Sequence, residues 1–239
     1  MISTLLILTG LAFCCSSQAV EVKGLYQVKV GVTNQSSSVR WKAVLGGFKE
    51  VLVRKSGSQQ VLDAYEVQQA YRKVTSYLQR FEYASNSNPD TAAESPFWLY
   101  LNFEPRLVDE LIQEAGMPIW GSNRPISILW LVIEENFKRE IIKEEIQEDS
   151  FSSLLSSHTK RRGIPVILPL MDLEDQINVN ISDIWGRFNS PIVQASERYQ
   201  ADSIVVGRVS RFGDQWQVKL SYINQGTEKN LEFTELTLE

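Results

Sequence analysis

The chain has 239 residues, 43% of them hydrophobic, and a formal net charge of −5. This composition supplies enough apolar side chains for a folded core and excludes an intrinsically disordered chain. The acidic balance offers no basic face of the kind that binds nucleic acid, so we predict no nucleic-acid partner. The length predicts one or two domains.

The first 19 residues differ from the rest because they contain no Lys, Arg, Asp or Glu. The apolar run from Thr4 to Phe13 is shorter than the roughly 20 residues that a membrane-spanning helix needs. Small residues follow it, and the sequence around Ala19 fits a cleavage site before Val20. We therefore expect a cleaved signal peptide over residues 1–19, a periplasmic location and no membrane span after cleavage; an uncleaved anchor or a buried N-terminal helix is the alternative.

Both cysteines, Cys14 and Cys15, lie inside this leader. A lipid anchor at Cys14 is the minor alternative, since the residue before it, Phe13, is large where a small one is expected. Cleavage after Ala19 would leave a chain without cysteine, whose stability must come from core packing and not from disulfides.

Residues 20–116 predict an N-terminal domain with the order β-α-α-β-α. Alternating residues from Val22 to Val32 indicate a half-buried strand, and apolar residues at helical spacing from Trp41 to Leu52 indicate a helix. A second helix is predicted from Asp63 to Phe81. Residues 84–96 predict a mobile loop. A strand from Phe97 to Phe103 and a helix beginning at Pro105 complete the domain.

Residues 117–125 form a non-periodic link, and residues 126–224 predict a second α/β domain with the order β-α-β-α-β-β. Helix-connected strands require parallel crossovers. The predicted fold class is therefore α/β (α+β), with a mostly parallel second sheet closed by an antiparallel edge hairpin that ends in the strand from Trp216 to Tyr222. The charged stretch Glu134–Asp149 predicts a solvated helix or loop, and residues 225–239 a polar tail.

No catalytic or cofactor motif is present, so we predict no catalytic residue, no metal and no cofactor. The sequence lacks a nucleophile elbow, a phosphate-binding loop and a dinucleotide fingerprint. Any histidine-dependent mechanism would need His158, the single histidine of the chain, and its helical position favours a packed or surface role near the helix C-terminus. The sequence favours a protein that is not an enzyme.

Two segments carry candidate binding residues. Asp172, Glu174 and Asp175 follow a predicted strand at the carboxyl end of the sheet, where ligands of open α/β folds bind. These carboxylates could hold Ca²⁺ or act as acid and base, whereas the simpler interpretation is a solvated loop in which Asp side chains cap the turn.

The link supplies the second set, Trp120, Asn123 and Arg124. An exposed Trp beside an Arg can hold a partner or an anionic group, because the guanidinium is a planar donor to carboxylate and phosphate. The alternative is an interdomain hinge in which Trp120 is buried as a wedge and Arg124 pairs with an acid such as Asp172.

Three stretches resemble the characteristic blocks of an uncharacterised family of exported bacterial proteins, domain of unknown function 2066. They are MPIWGSNRPISILWLVIEE, GIPVILPLMDLEDQINVNISDIWGRF and RYQADSIVVGRV. The resemblance covers residues 22 to 222. It implies a Gram-negative periplasmic protein, and it implies no activity, because the family has none to transfer. Members usually continue further after the final hairpin.

These observations lead to two hypotheses. In the first, a non-enzymatic periplasmic protein binds envelope or periplasmic proteins through the Trp120–Arg124 link and through an open sheet edge near Trp216. In the second, an enzyme or a protein that binds a small ligand or metal uses Asp172, Glu174 and Asp175 together with Arg124.

Overall fold

The computed structural model describes residues 20–144 and 151–235. The predicted signal peptide with Cys14 and Ala19, residues 145–150 of the charged stretch, and residues 236–239 of the predicted tail lie outside these ranges. Within the described residues, none of the helices has both the length and the apolar character needed to cross a membrane.

The first half of the chain folds as a three-stranded antiparallel sheet with helices on one face. Its strand order is β2-β4-β3. Two short strands, β1 and β5, pair with each other beside it. The elements are β1 (Val20–Glu21), β2 (Gln27–Val32), α1 (Ser37–Ser56), α2 (Tyr65–Ala70), β3 (Leu78–Ser85), α3 (Pro89–Ala92), β4 (Phe97–Phe103), α4 (Pro105–Glu114) and β5 (Asn123–Arg124).

Helix α1 has clear start and stop signals. Ser36 caps its N-terminus by accepting a hydrogen bond from the Val39 amide, and Gly57 ends it in the left-handed conformation at φ 74°. The helix packs on β2 and β4, and Phe48, Leu52 and Phe103 lie fully buried between them. On the opposite face of the sheet, where Tyr100 is exposed, no helix of residues 20–144 or 151–235 is among the main packing contacts of the strands.

The predicted helix from Asp63 to Phe81 is wrong at its C-terminal end. Helix α2 ends at Ala70, a 3₁₀ segment follows over Tyr71–Tyr77, and Leu78–Ser85 is strand β3. Lys73 leaves helical geometry at φ −122°, and β3 then pairs with β4 along its length. Backbone pairing in the sheet thus overrides a helical spacing of apolar residues, because short 3.6-residue patterns are weak evidence.

The second half contains a six-stranded mixed sheet in which β11, β10, β9, β6 and β7 are neighbours and β8 also pairs with β6. Helices α7 and α8 pack on one face around Trp130, α6 packs against α8, and α5 packs on the other face around Leu131. The elements are β6 (Ser127–Glu135), β7 (Lys138–Ile142), α5 (Phe151–Arg162), β8 (Val166–Ile167), α6 (Leu173–Asn178), α7 (Ile181–Gly186), α8 (Asn189–Ser196), β9 (Ser203–Phe212), β10 (Gln215–Asn224) and β11 (Thr227–Glu235).

The predicted mixed α/β class with an antiparallel edge hairpin is confirmed, but the sheet is not mostly parallel. Only β6 with β9 and β6 with β8 pair in parallel among the described strands. Residues inside two supposedly irregular segments form strands: Lys138–Ile142 turns back on β6, and Thr227–Glu235 pairs with β10. Both are polar and charged, so they lack the apolar alternation by which a strand is identified.

Candidate functional site

The link lies inside the junction between the two halves. The Trp120 amide donates to the Lys55 carbonyl at 2.6 Å, and its half-buried indole lies under the Arg124 guanidinium, with 4.0 Å between the guanidinium carbon and the ring centroid. Asn123 is exposed on β5, where it pairs with Glu21 of β1. These contacts make Trp120 a packing residue at the junction and not a free contact surface.

Arg124 is fully buried and bonds to main-chain carbonyls, not to Asp172. Its nitrogens donate to the carbonyls of Gly121 (3.0 Å), Arg162 (3.1 Å), Gly163 (2.7 Å) and Arg54 (2.9 Å). Two of these carbonyls end helix α1 or α5, whose dipoles place partial negative charge there. Burial, followed by the nearby charge of Arg54, lowers the pKa of Arg124 to about 10, so it stays protonated at neutral pH.

A second buried arginine, Arg54, completes the junction from the other side. It donates to the Arg161 carbonyl at 2.5 Å and to the Gln27 carbonyl at 2.8 Å, and it pairs with Glu50 one helical turn earlier. Its pKa is lowered because it is buried. This role could not be predicted from the sequence, since a basic residue in the last turn of a helix is usual.

Asp172, Glu174 and Asp175 lie together at the start of α6, and their cationic partner is Arg198. Its guanidinium bonds to Asp172 at 2.7 and 2.8 Å, to Asp175 at 3.2 Å, and lies 3.5 Å from Glu174. These bonds, together with a hydrogen bond from the Asp175 amide, lower the pKa of Asp172 to about 2. The acidic loop is therefore tied to the end of α8 by its own ion pairs.

Asp175 is the buried member of this cluster. Its carboxylate accepts hydrogen bonds from the Met171 amide at 2.9 Å and from the Tyr199 hydroxyl, and burial with that hydroxyl bond raises the pKa of Tyr199 to about 12. The shallow hollow beside it, about 290 Å³, does not include Arg124 in its lining. The structure therefore does not bring Arg124 to the carboxylates, and within the described ranges no group of His, Cys, Asp and Glu side chains is arranged to hold a metal.

A larger cleft opens at the junction itself, with a volume of about 540 Å³. We call it the junction cleft. It extends from the uncovered face of the three-stranded sheet, past the start of β2, to the C-terminal end of α5. Six basic side chains and only two acidic ones line it: Lys23, Lys29, Arg54, Arg80, Lys160 and Arg161, with Glu50 and Glu82.

The charges of the cleft are only partly balanced within the protein. Glu50 accepts bonds from both Arg54 and Arg161. Lys23, Arg80 and Lys160 are exposed and form no ion pair with any residue in the parts of the chain that the structure describes. An excess of unpaired cations in a concave surface concentrates positive potential there, which favours an anionic ligand.

Aromatic and amide groups complete the lining. The Lys29 ammonium lies 4.0 Å from the Trp98 ring centroid and 5.7 Å from that of Tyr100. The Tyr100 ring is 42% exposed and borders the cleft with Gln27 and Asn102. The sequence did not reveal this set, because its members come from five separate elements and Arg80 lay in a segment predicted to be helical.

The structure also shows where Trp216 and His158 lie, and of these two only Trp216 departs from its predicted place. Trp216 lies on β10, which is paired on both sides by β9 and β11, so it is not at a sheet edge. His158 is exposed on α5 and lines a smaller groove on the other side of the contact between α1 and α5.

Comparison with known proteins gives one family match. Residues 19–121 match the model of a family described as a domain of unknown function, DUF8605. No curated protein and no solved structure matches the chain. The resemblance to domain of unknown function 2066 is thereby corrected: the family that matches is a different one, and the match ends at Gly121, before the blocks at residues 163–188 and 198–209 that suggested the other. The first half of the chain is similar to this uncharacterised family. This half contains Arg54 and the residues that line the junction cleft on the side of the three-stranded sheet.

Proposed function

We propose that the protein is an exported, non-enzymatic binding protein of the bacterial envelope, and that it holds an anionic envelope component in the junction cleft. One observation carries the proposal: in a chain of net charge −5, six basic side chains and two acidic ones surround a single concave surface. The volume of about 540 Å³ lies within the range of small-ligand sites. Export is supported by the apolar leader and the small residues that follow it.

The function proposed is binding because the groups around the cleft are donors and cations. Lys and Arg side chains recognise carboxylate and phosphate groups, whereas acid–base chemistry needs a titratable group placed to take a proton. Glu50, an acid that could act in this way, is already bonded to Arg54 and Arg161.

The test is calorimetric titration of the exported protein with an anionic oligosaccharide and with a neutral one of equal length. The variant Arg80→Gln/Lys160→Gln should weaken anion binding by roughly two- to fivefold for each charge removed. The control Lys138→Gln/Lys229→Gln removes the same charge from exposed residues of the other sheet and should leave binding unchanged. Equal loss in both variants, or equal binding of the neutral sugar, would contradict the proposal.

A second candidate function uses the edge of the six-stranded sheet. Among the described strands, β11 pairs with β10 alone, and its Leu231 and Phe233 side chains are 43% and 47% exposed on one face. An unpaired strand edge beside exposed apolar side chains can receive an extended segment of another protein. This candidate retains the predicted protein partner but moves its contact from Trp216 to β11.

Crosslinking in intact cells tests this candidate, with a photoreactive residue in place of Leu231 and, as a control, in place of exposed Tyr65. Strand addition predicts one adduct with an envelope protein from the first position and none from the second. A folded, exported protein that yields no adduct from Leu231 would contradict it.

A further inference from the structure

The junction cleft adjoins a second basic groove. This side groove has a volume of about 340 Å³ and is bordered by α1, the 3₁₀ segment Gln59–Asp63 and α5. It shares Glu50 and Arg161 with the junction cleft. The two hollows therefore meet at the Glu50–Arg161 ion pair, whose Arg161 side chain is 62% exposed.

The side groove extends the positive surface. It adds Lys49, Arg162 and His158, and its only acidic side chain is the shared Glu50. The Lys49 ammonium lies 4.9 Å from the Tyr71 ring centroid and, like Arg162, makes no ion pair with the residues that the structure describes. The Arg162 carbonyl accepts a hydrogen bond from the Arg124 guanidinium. This buried bond at the junction uses the main chain of Arg162 and not its side chain.

We propose that the two hollows bind one linear acidic polysaccharide, with the chain crossing over the Glu50–Arg161 pair; this inference rests on the proposed anion-binding function. Cations distributed over two adjoining grooves match repeated negative charge along a chain better than they match one small anion. The exposed Tyr100 ring and the Gln27 and Asn102 amides in the junction cleft favour a sugar chain over bare polyphosphate, because they offer an apolar face and hydrogen-bonding groups next to the cations.

The shared ion pair fits this arrangement. Glu50 is mostly buried and holds Arg161 at 2.9 Å, so Arg161 stays at the crossing point of the two grooves. Its Nε and Nη2 atoms bond to Glu50, which leaves Nη1 to donate to a carboxylate of a ligand. A chain that crosses here would contact Arg161 between the cations of the two hollows.

The experiment titrates the full exported protein with galacturonate oligomers of increasing length, with polyphosphates, and with neutral oligosaccharides of matched length. The inference predicts that affinity for the galacturonates rises at least tenfold with length and then levels off once the chain spans both grooves. The variant Lys49→Gln/Arg162→Gln should remove most of this rise with length. The control Lys138→Gln/Lys229→Gln should follow the wild-type curve.

The outcomes separate the two claims. Galacturonate binding that does not depend on length would overturn the polysaccharide inference and leave the anion site standing. Length-dependent binding of polyphosphate without binding of galacturonates would overturn the sugar assignment. No anion binding by folded protein would overturn the proposed function as well. The length series in the wild-type protein needs no variant, so a variant that fails to fold does not remove the test.

Discussion

Arg54 and Arg124 hold the two halves of the chain together through main-chain carbonyls. A buried charge costs several kcal/mol unless it is fully hydrogen-bonded, and here three of the acceptors are carbonyls that helices α1 and α5 leave unpaired at their ends. The same hydrogen bonds give partners both to the carbonyls at the helix ends and to the N–H groups of the two guanidiniums. Gly163 is the point of closest approach, because a Cβ there would lie 2.6 Å from an Arg124 nitrogen.

The substitution Gly163→Ala should destabilise the protein by about 2–4 kcal/mol, since it combines backbone strain at φ 64° with displacement of Arg124. Gly116→Ala is the matched control: it has φ 67° and no atom within 4 Å of the added carbon, so it should cost about 1 kcal/mol. Urea unfolding measures both. An equal loss of stability in the two variants would show that the contact with Arg124 does not contribute to the effect of Gly163→Ala.

Asp172 gives a prediction for the dependence of stability on pH. Because Arg198 lowers the pKa of Asp172 to about 2 from the usual 3.8, the ionised carboxylate stabilises the fold above pH 3.8, and this contribution disappears as the pH falls towards 2. Asp172→Asn keeps the hydrogen bond that caps α6 and removes the charge. The variant should therefore be less stable than wild type at neutral pH, and the gap should close in acid.

Urea midpoints between pH 7 and pH 2.5 check this prediction, with Asp214→Asn as the control. Asp214 is fully exposed and lies 3.9 Å from Arg211, so its replacement should change little at any pH. The gap for Asp172→Asn should also shrink in high salt, because the pair is partly exposed. A stability difference between wild type and Asp172→Asn that stays constant across the pH range would contradict the lowered pKa of Asp172.

The hairpin between β6 and β7 shows how a strand can be hidden in a charged sequence. Asn136 and Phe137 both have positive φ, 51° and 64°, and Phe137 is fully exposed. Two-residue turns of this kind prefer Asn-Gly, since glycine adopts the left-handed conformation without strain. A bulky residue at this position therefore costs stability.

Phe137→Gly should accordingly stabilise the protein by about 0.5–1 kcal/mol, because it relieves backbone strain and removes no packing. Phe137→Ala removes the same ring but keeps the strain, so it should give little gain. Thermal unfolding of the two variants separates the effects. A loss of stability in Phe137→Gly would mean that the ring makes a contact important to the fold.

The elements that could be predicted are those whose formation depends on their own local sequence. Helix α1 and strands β4 and β6 follow from apolar spacing and from end signals such as Gly57, which depend on local sequence. Strands β7 and β11 are polar and form only because a neighbouring strand pairs with them, so their cause lies elsewhere in the chain. The helical spacing that continued to Phe81 failed for the same reason, since β3 exists only through its pairing with β4.

The candidate site was the least predictable feature. Asp172, Glu174 and Asp175 form a real cluster, yet Arg198 lies 23 residues or more along the chain from each of them and gives no signal beside them. Lys23, Arg80 and Lys160 are unremarkable in sequence, and only the folded junction places them around one cleft. The basic run at residues 160–162 ends helix α5, where basic residues are usual and do not by themselves indicate a binding site.

Over the whole molecule, the cleft is built from both halves. The family match ends at Gly121, so Lys29, Arg54 and Arg80 lie within it, whereas Lys160 and Arg161 lie beyond it. An anion bound in the cleft would therefore contact both halves at once, and its binding should stabilise the junction between them. The uncovered face of the three-stranded sheet, which carries Lys29 and Tyr100, forms one wall of this shared surface.

The most direct test of the account is a two-dimensional NMR titration of nitrogen-labelled protein with a galacturonate oligomer. Binding in the junction cleft predicts that amide signals of Lys29, Tyr100 and Gly163 move together with a single dissociation constant, while those of α6 stay in place. The movements should shrink as salt is added, since screening weakens charge–charge contacts. Shifts confined to the acidic loop or to β11, or no shifts in the folded protein, would contradict the account.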